Sequence, residues 1–431
     1  MLSLPPYVAF FLAPLILIPL SAGSLPAQSH SPDYEDVDPW VGVTPPNKGP
    51  DSSAVAGFLG WLVATNPVVC QFVVQSIGNN WGDWDGQYQP GYLVAEQGIE
   101  KERQTLSRPV TDHAALSHLA QALGHGSSCV RRAAARMLGH SDQTAAVRYL
   151  RAALSSGDAR VREAAALGLA DAEDPAAFHD LSRALRDRDA AVARMAAYAL
   201  GELEDPRAVK PLSELLHSPD PETRAAAAAS LGEIEDIRAT DKLTGLVGDA
   251  DYRVRLASIK ALGEIEDHRA TGALTKALKD KETDVRRAAA EALGEVENPK
   301  AADALAQSLE DPDVVVRRLA AQSLGELDEL QRAPPRLIAA LADRDGELRV
   351  IAAMSLGEIG DSSAVPSLSQ AYTGAEPRLR FAIVNALAEM EDRRGDAVLT
   401  LAAREKDTAI RRVATEALKD RHDDDDDHDD D

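Results

Sequence analysis

Thr283 to Asp313 reads TDVRRAAAEALGEVENPKAADALAQSLEDPD, and this 31-residue pattern recurs about nine times along the 431-residue chain. Steps of 31 from Gly294 land on Gly139, Ala170, Gly201, Gly232, Gly263 and Gly325. One inserted residue then moves the marker to Gly357, Ala388 and Lys419. Eight residues before the marker stands an arginine: Arg131, Arg162, Arg224, Arg255, Arg286, Arg317, Arg349, Arg380 and Arg411. The third unit alone departs, with Ala193 in the slot and Arg194 beside it. A fixed period of this length marks a stacked array, because one such unit cannot bury its apolar face alone.

Each unit predicts two helices. In the first, about 285–296, Val285, Ala288, Ala289, Ala292, Leu293 and Val296 share one face at helical spacing. Four residues before the arginine an acid recurs: Asp158, Asp189, Asp220, Asp251, Glu282, Asp313, Asp345, Glu376 and Asp407. An acid there suits an N-cap or first-turn role, accepting orphan N–H groups at the positive end of the helix dipole. The second helix is expected to open at Asn298-Pro299, as at Asp174-Pro175 and Asp205-Pro206, and to carry Ala302, Leu305, Ala306 and Leu309 inward. The marker glycine costs about 1 kcal/mol against alanine inside a helix. Its recurrence therefore points to close backbone approach between neighbouring helices.

The consensus V-R-x-x-A-A-x-x-L-G-E-x-E-D-P-x-A resembles the HEAT-like repeat of phycobilin (PBS) lyases and, more broadly, HEAT repeats. The resemblance covers residues 127–420, and implies an all-α fold: a right-handed α-solenoid of two-helix HEAT-like repeats. It says little about function, since such repeats serve many unrelated proteins.

The flanks differ. Residues 1–27 have the character of an export signal, with an apolar run from Val8 to Leu20, Pro14 within it, and small residues at Ser21, Ala22, Gly23, Ser24 and Ala27. No Lys or Arg precedes that run. An uncleaved anchor is the alternative, and no other membrane insertion is expected. Residues 28–52 read as a linker rich in Pro, Asp and Ser. Residues 53–126 read as an irregular helical cap over the open end of the array. Within it, NNWGDWDGQYQPGY from Asn79 to Tyr92 concentrates Trp81, Trp84, Tyr88 and Tyr92, as packing for the cap or as a ligand surface. Residues 421–431, RHDDDDDHDDD, form a self-repelling block expected to be a disordered tail. His422 and His428 could collect divalent cations there only loosely.

Net charge is −24. No segment is basic, so a nucleic-acid backbone or an anionic membrane is not the expected partner. Cys70, in the cap, and Cys129, at the start of the array, could pair in an oxidising compartment or remain two free thiols.

The arginine series Arg162, Arg224, Arg255, Arg286, Arg317, Arg349 and Arg380 is tempting as an anion-binding ladder. An arginine one turn after an acid at constant spacing is better read as a structural ladder tying repeats together. No catalytic motif of the G-x-S-x-G, Walker, H-E-x-x-H or C-x-x-C kind occurs, and no cofactor or metal is called for. Deoxyhypusine hydroxylase, a HEAT-like enzyme, holds iron through His-Glu pairs, but none of the ten histidines here is followed by Glu.

The expectation is an exported, non-enzymatic scaffold for a protein partner in the periplasm or outside the cell. Candidate contacts are the second-helix residues Arg183, Arg186, Lys210, Glu214, Lys242, Lys276 and Lys279. Several are basic in an acidic protein, which fits an acidic segment on the partner. The alternatives are a glycan- or peptide-binding protein acting through Trp81, Trp84 and Tyr88, and an enzyme of the bilin lyase or HEAT-repeat hydroxylase type.

Overall fold

The computed structural model describes residues 49–65, 70, 73–74, 77, 109–141, 144–327 and 329–426, with side chains as far as residue 421. The expected signal, most of the linker, and the loop bearing Trp81, Trp84 and Tyr88 lie outside these residues. No strand occurs among the described residues. The chain builds an α-solenoid of two-helix repeats.

Tyr252–Glu264 shows how the sequence makes a first helix. Asp251 stands at the N-cap in extended conformation and its carboxylate accepts from the Arg253 N–H. Val254, Arg255, Ser258, Ile259, Ala261 and Leu262 turn inward. At the far end the Ile265 N–H closes on the Ala261 carbonyl. Glu266 then takes a left-handed conformation at φ 54°, which breaks the helix. Asp267 caps a 3₁₀ turn, His268–Ala270, that leads into the second helix, Thr271–Ala277.

This corrects the expected opening at the Asn/Asp-Pro pair. Those residues start a separate 3₁₀ turn, Pro299–Ala301 in the next unit, and the α-helix begins only at Ala302. The tighter turn brings Ala301, fully buried, against the core before Leu305 follows.

Consecutive first helices pack on one another from Ser128–Gly139 to Thr408–Asp426, whereas each second helix packs chiefly on the first helix that follows it. One apolar core runs from Val55 in the cap to Ala414 near the C-terminus. The marker glycines set the first-helix spacing. A methyl on Gly232 would stand 2.8 Å from Ala261 Cα, and one on Gly357 would stand 2.8 Å from Ala386 Cα.

In the cap, Ser52–Ala64 and His113–Ala122 cover Ser128–Gly139. Cys70 and Cys129 form a disulfide. Closing a loop of that length contributes roughly 4 kcal/mol in the chain-entropy account. Arg136 donates to the Val74 carbonyl at 3.1 Å and Ser141 to the Val110 carbonyl at 2.6 Å, so polar bonds also hold the cap down.

The acidic tail needs correction as well, because the last helix continues through Asp426. Arg421 anchors it, donating to the Leu387 carbonyl at 2.6 Å and to the Asp396 carboxylate. The first aspartates simply extend a helix already docked. Residues 427–431 lie outside the described residues.

Seven glutamates occupy the left-handed region: Glu173, Glu204, Glu235, Glu266, Glu297, Glu329 and Glu391. Glycine ends a first helix in this way at Gly360, φ 68°, and Gly374, φ 81°, is left-handed after a second helix. Left-handed backbone costs an L-residue about 1–2 kcal/mol, part of which a glycine gives back as unfolded-state entropy. Glu266→Gly should therefore raise unfolding stability by about 0.5–1 kcal/mol. A lower urea midpoint would show that the glutamate side chain stabilises that turn by more than its backbone strain.

Candidate functional site

From Arg162 to Arg380 the arginine ladder meets carboxylates other than the acid one turn before it, whereas Arg131 and Arg411 donate to backbone carbonyls. Arg162 donates to both oxygens of Asp187 at 2.7 Å and to the Ser156 carbonyl at 2.8 Å. Arg224 does the same with Asp249 at 3.0 and 2.8 Å, Arg255 with Asp280 at 2.7 and 2.9 Å, and Arg286 with Asp311 at 2.8 and 3.0 Å. The partner lies 25 residues downstream, in the loop before the next first helix. The preceding acid instead caps its own helix, as Asp158, Asp189, Asp220 and Asp251 do.

A planar fork of N–H donors matches two carboxylate oxygens while its third edge takes a carbonyl. The geometry loosens across the inserted residue and beyond it: Arg317 stands 3.8 Å from Asp343, Arg349 pairs with Glu376 at 3.1 Å, and Arg380 with Glu405 at 2.9 Å. In the third unit Arg194, one place on, reaches the next cap acid Asp220 at 3.0 Å, as Arg287 reaches Asp313 and Arg318 reaches Asp345. Bonds of Arg162 hold the Asp187 carboxyl below its usual range, and the guanidinium itself is raised by the same pairing. The donors of Arg162, Arg224, Arg255 and Arg286 are committed within the chain, so these four serve the fold, whereas Nε of Arg317, Arg349 and Arg380 is buried without a partner among the described residues.

A second ladder escaped the sequence reading. Arg207, Arg238, Arg269 and Arg394 fold back on Asp205, Asp236, Asp267 and Asp392, which open the turns into their second helices, 3₁₀ in all but the Asp236 case. Three of them also reach back one repeat: Arg238 to the Pro206 carbonyl at 3.0 Å, Arg269 to Ile237 at 2.7 Å, and Arg394 to Ser362 at 2.8 Å. Arg207 lies over the Phe178 ring, 4.3 Å from its centre. Its signal in the sequence is Asp-x-Arg at the repeat period.

The second-helix candidates fall on four successive repeats. Arg183 pairs with Asp180 at 3.2 Å, and Arg186 pairs with Glu214 at 2.8 Å, so these three are engaged with the chain itself. Asp180 also takes Arg151 at 2.6 Å. Lys210, Lys242, Lys276 and Lys279 are exposed and form no ion pair among the described residues. They follow one another over three repeats.

Opposite in charge is a row on the last turn of the first helices: Glu202, Glu233, Glu264, Glu295, Glu326, Glu358 and Glu389. From Glu264 onward each places a carboxylate oxygen where a methyl on the previous marker glycine would have to go. Burial raises Glu264 to about 7, with Glu233 and Glu295 adding repulsion. It raises Glu295 to about 7 as well, with Glu291 and Glu326 adding to it. Burial also raises Glu233, Glu358 and Glu389.

Among the described residues no group of His, Cys, Asp and Glu could hold a metal ion, and no helix is long and apolar enough to cross a membrane.

The family model for HEAT repeats matches residues 116–196, 179–253, 245–325 and 334–419, well over half of the chain. The chain is a HEAT-repeat protein. The break between 325 and 334 coincides with the inserted residue, where the second helix shrinks to Pro335–Ala340. The model begins inside His113–Ala122, so that cap helix is in frame with the HEAT repeats.

Solved structures similar to this HEAT-repeat protein include an engineered protein at 22% identity, covering 71% of this chain and 98% of its own, with a TM-score of 0.47. Importin beta is similar at 14% identity, covering 81% and 61%, with a TM-score of 0.49. The CpcE and CpcF complex of phycocyanin lyase from Nostoc is similar at 26% identity, covering 59% and 92%, with a TM-score of 0.30. No curated protein matches the chain.

Proposed function

We propose that this HEAT-repeat protein is an exported, non-enzymatic scaffold of the cell envelope, and that its second-helix face holds an acidic segment of a protein partner. The observation that carries the reading is the run of Lys210, Lys242, Lys276 and Lys279, exposed and without ion pairs among the described residues. In the same repeats most arginines are bonded to carboxylates of the chain. Unpaired lysines on a charged surface retain their full field for an incoming anion, which raises association rate and sets register more than it adds affinity. The Cys70–Cys129 disulfide supports export, since such bonds persist in oxidising compartments.

The reading is tested on a partner recovered by crosslinking the full chain in its own envelope. Lys242→Glu with Lys276→Glu should weaken that complex about tenfold at low salt, roughly 1.4 kcal/mol, and flatten its salt dependence. Unchanged affinity and slope would remove this face from the interaction. A partner lost only when residues 79–92 are deleted would move recognition to the aromatic segment.

A further inference from the structure

The glutamates on the last turn of the first helices have no cationic partner among the described residues, and, of the row from Glu233 to Glu389, Glu326 accepts a hydrogen bond from Gln322 at 2.8 Å. Glu233, Glu264, Glu295, Glu326, Glu358 and Glu389 make no ion pair among the described residues, although salt bridges are plentiful on both arginine ladders. They also stand at the negative end of the helix dipole, where an anion is disfavoured. No basic residue shares the last turn in Pro221–Glu233, Tyr252–Glu264, Thr283–Glu295, Val314–Glu326, Gly346–Ile359 or Pro377–Glu389.

Their seat is the seam between first helices. Oε2 of Glu264 covers Gly232, that of Glu295 covers Gly263, that of Glu326 covers Gly294, and that of Glu358 covers Gly325. Oε2 of Glu389 would lie 2.6 Å from a methyl on Gly357. Each residue as a whole is exposed, yet its carboxyl end is turned in over the neighbouring backbone. The glycine thus does two things: it lets the helices approach, and it leaves the hollow that the next carboxylate fills.

We propose that the seam glutamates Glu264, Glu295, Glu358 and Glu389 are a pH-responsive spacer between repeats, closed when their carboxyls are protonated and pushed apart when they ionise. The groups facing each member are mostly of like charge. Around Glu264 stand Glu233 and Glu235 from the preceding repeat and Glu295 from the following one, with Lys260 of its own helix in opposition. Around Glu295 stand Glu266 and Lys260 from the preceding repeat, Glu326 from the following one and Glu291 of its own helix. Glu233 faces Glu204 and Glu235, and Glu358 faces Glu326 and Glu389. Removing a proton from one member therefore raises the cost of removing it from the next, and the repulsion can be relieved by widening the seam.

The sign is fixed by the raised values of Glu264 and Glu295, about 7 in the folded chain. A carboxyl that holds its proton more tightly folded than unfolded adds stability below the unfolded value, roughly 4.3. That contribution is lost as pH rises through about 7. The cap aspartates Asp267, Asp313 and Asp345, held near 2 by hydrogen bonds from arginines, behave oppositely and weaken only in strong acid. Between pH 5 and 8 the raised glutamates favour the folded chain at the acid end, opposed there by His140, which burial holds below its usual value. A widened seam would also respace the lysines of the second helices, linking the device to the binding face proposed above without depending on it.

The test uses the full chain at pH 5.5 and pH 8, with urea unfolding and small-angle scattering on the same samples. The wild type should unfold at a higher urea concentration and show a smaller radius of gyration at pH 5.5. Glu264→Gln with Glu295→Gln keeps the shape of the protonated form; it should lose much of both differences and resemble the pH 5.5 wild type at either pH. The single variant Glu295→Gln should fall between them and serves if the double variant does not fold. Equal scattering at both pH values in the wild type, or an undiminished pH difference in the variants, would overturn the proposal.

Discussion

Arg255→Ala is expected to destabilise the chain by about 3 kcal/mol, the largest loss from any single member of the ladder. Arg255 is 5% exposed and gives three donors to two different loops, the Asp280 carboxylate and the Asp249 carbonyl at 2.9 Å. Asp249 is itself the carboxylate partner of Arg224. One loop thus receives an arginine from each side, and removing Arg255 loosens two seams together. Breaking a buried pair costs roughly 3–5 kcal/mol because the remaining charge is left dry. The lower end applies here, since the Asp280 side chain keeps 14% of its exposure.

Burial pushes Asp280 up, but the Arg255 bonds, the Glu282 N–H and nearby Lys281 together outweigh it, and the carboxyl lies below its usual range. Without Arg255 only burial, the Glu282 N–H and nearby Lys281 remain to act on it. Arg255→Lys should recover little, because an ammonium cannot grip both oxygens and the carbonyl at once. Urea unfolding of both variants, closed by Asp280→Asn in a double-mutant cycle, measures the pair. A loss under about 1 kcal/mol for Arg255→Ala would mean that the ladder contributes no more than an exposed ion pair.

Gly232→Val is expected to cost about 3 kcal/mol for a different reason. The new Cβ would fall 2.8 Å from Ala261 Cα and 2.9 Å from its Cβ, and would collide with the Glu264 carboxylate. A flexible carboxylate can rotate away, whereas a helix backbone cannot, so the seam itself must open. Alanine at the same site regains about 1 kcal/mol of helix propensity and is expected to be milder. Gly201→Ala should be milder again, since its nearest neighbours are atoms of Ser230 at 3.1 Å. Ala170 and Ala388 already hold the marker slot in their own repeats. Thermal unfolding of the three variants should rank them in that order; Gly232→Val at wild-type stability would mean that the first helices slide freely.

The fold was legible because its information is local and repeated. Each 31-residue unit carries its own acid cap, its alanine face and its break, and nine copies average away any single exception such as Ala193. The interactions between units were only half legible. Arginine at a fixed place declared a ladder, but each repeat holds several acids, and spacing along the chain favoured the one a turn away. The partner 25 residues on becomes a neighbour only when one helix pair is stacked on the next. The same holds for the glutamate row. Glutamate after glycine reads as an ordinary exposed residue, and its carboxylate meets the previous repeat's glycine only across the seam.

Sequence alone, then, determined the repeat, its two helices, the caps, the glycine at close approach and the acidic balance, since each rests on residues within one unit or on a sum over the chain. The tertiary structure decided the partner of each arginine, the second ladder, the engagement of Arg183 and Arg186 with the chain's own acids, and the burial of the glutamate carboxyls. Those depend on the distance and angle between stacked units, quantities that the 31-residue period implies must exist but does not encode in any one copy.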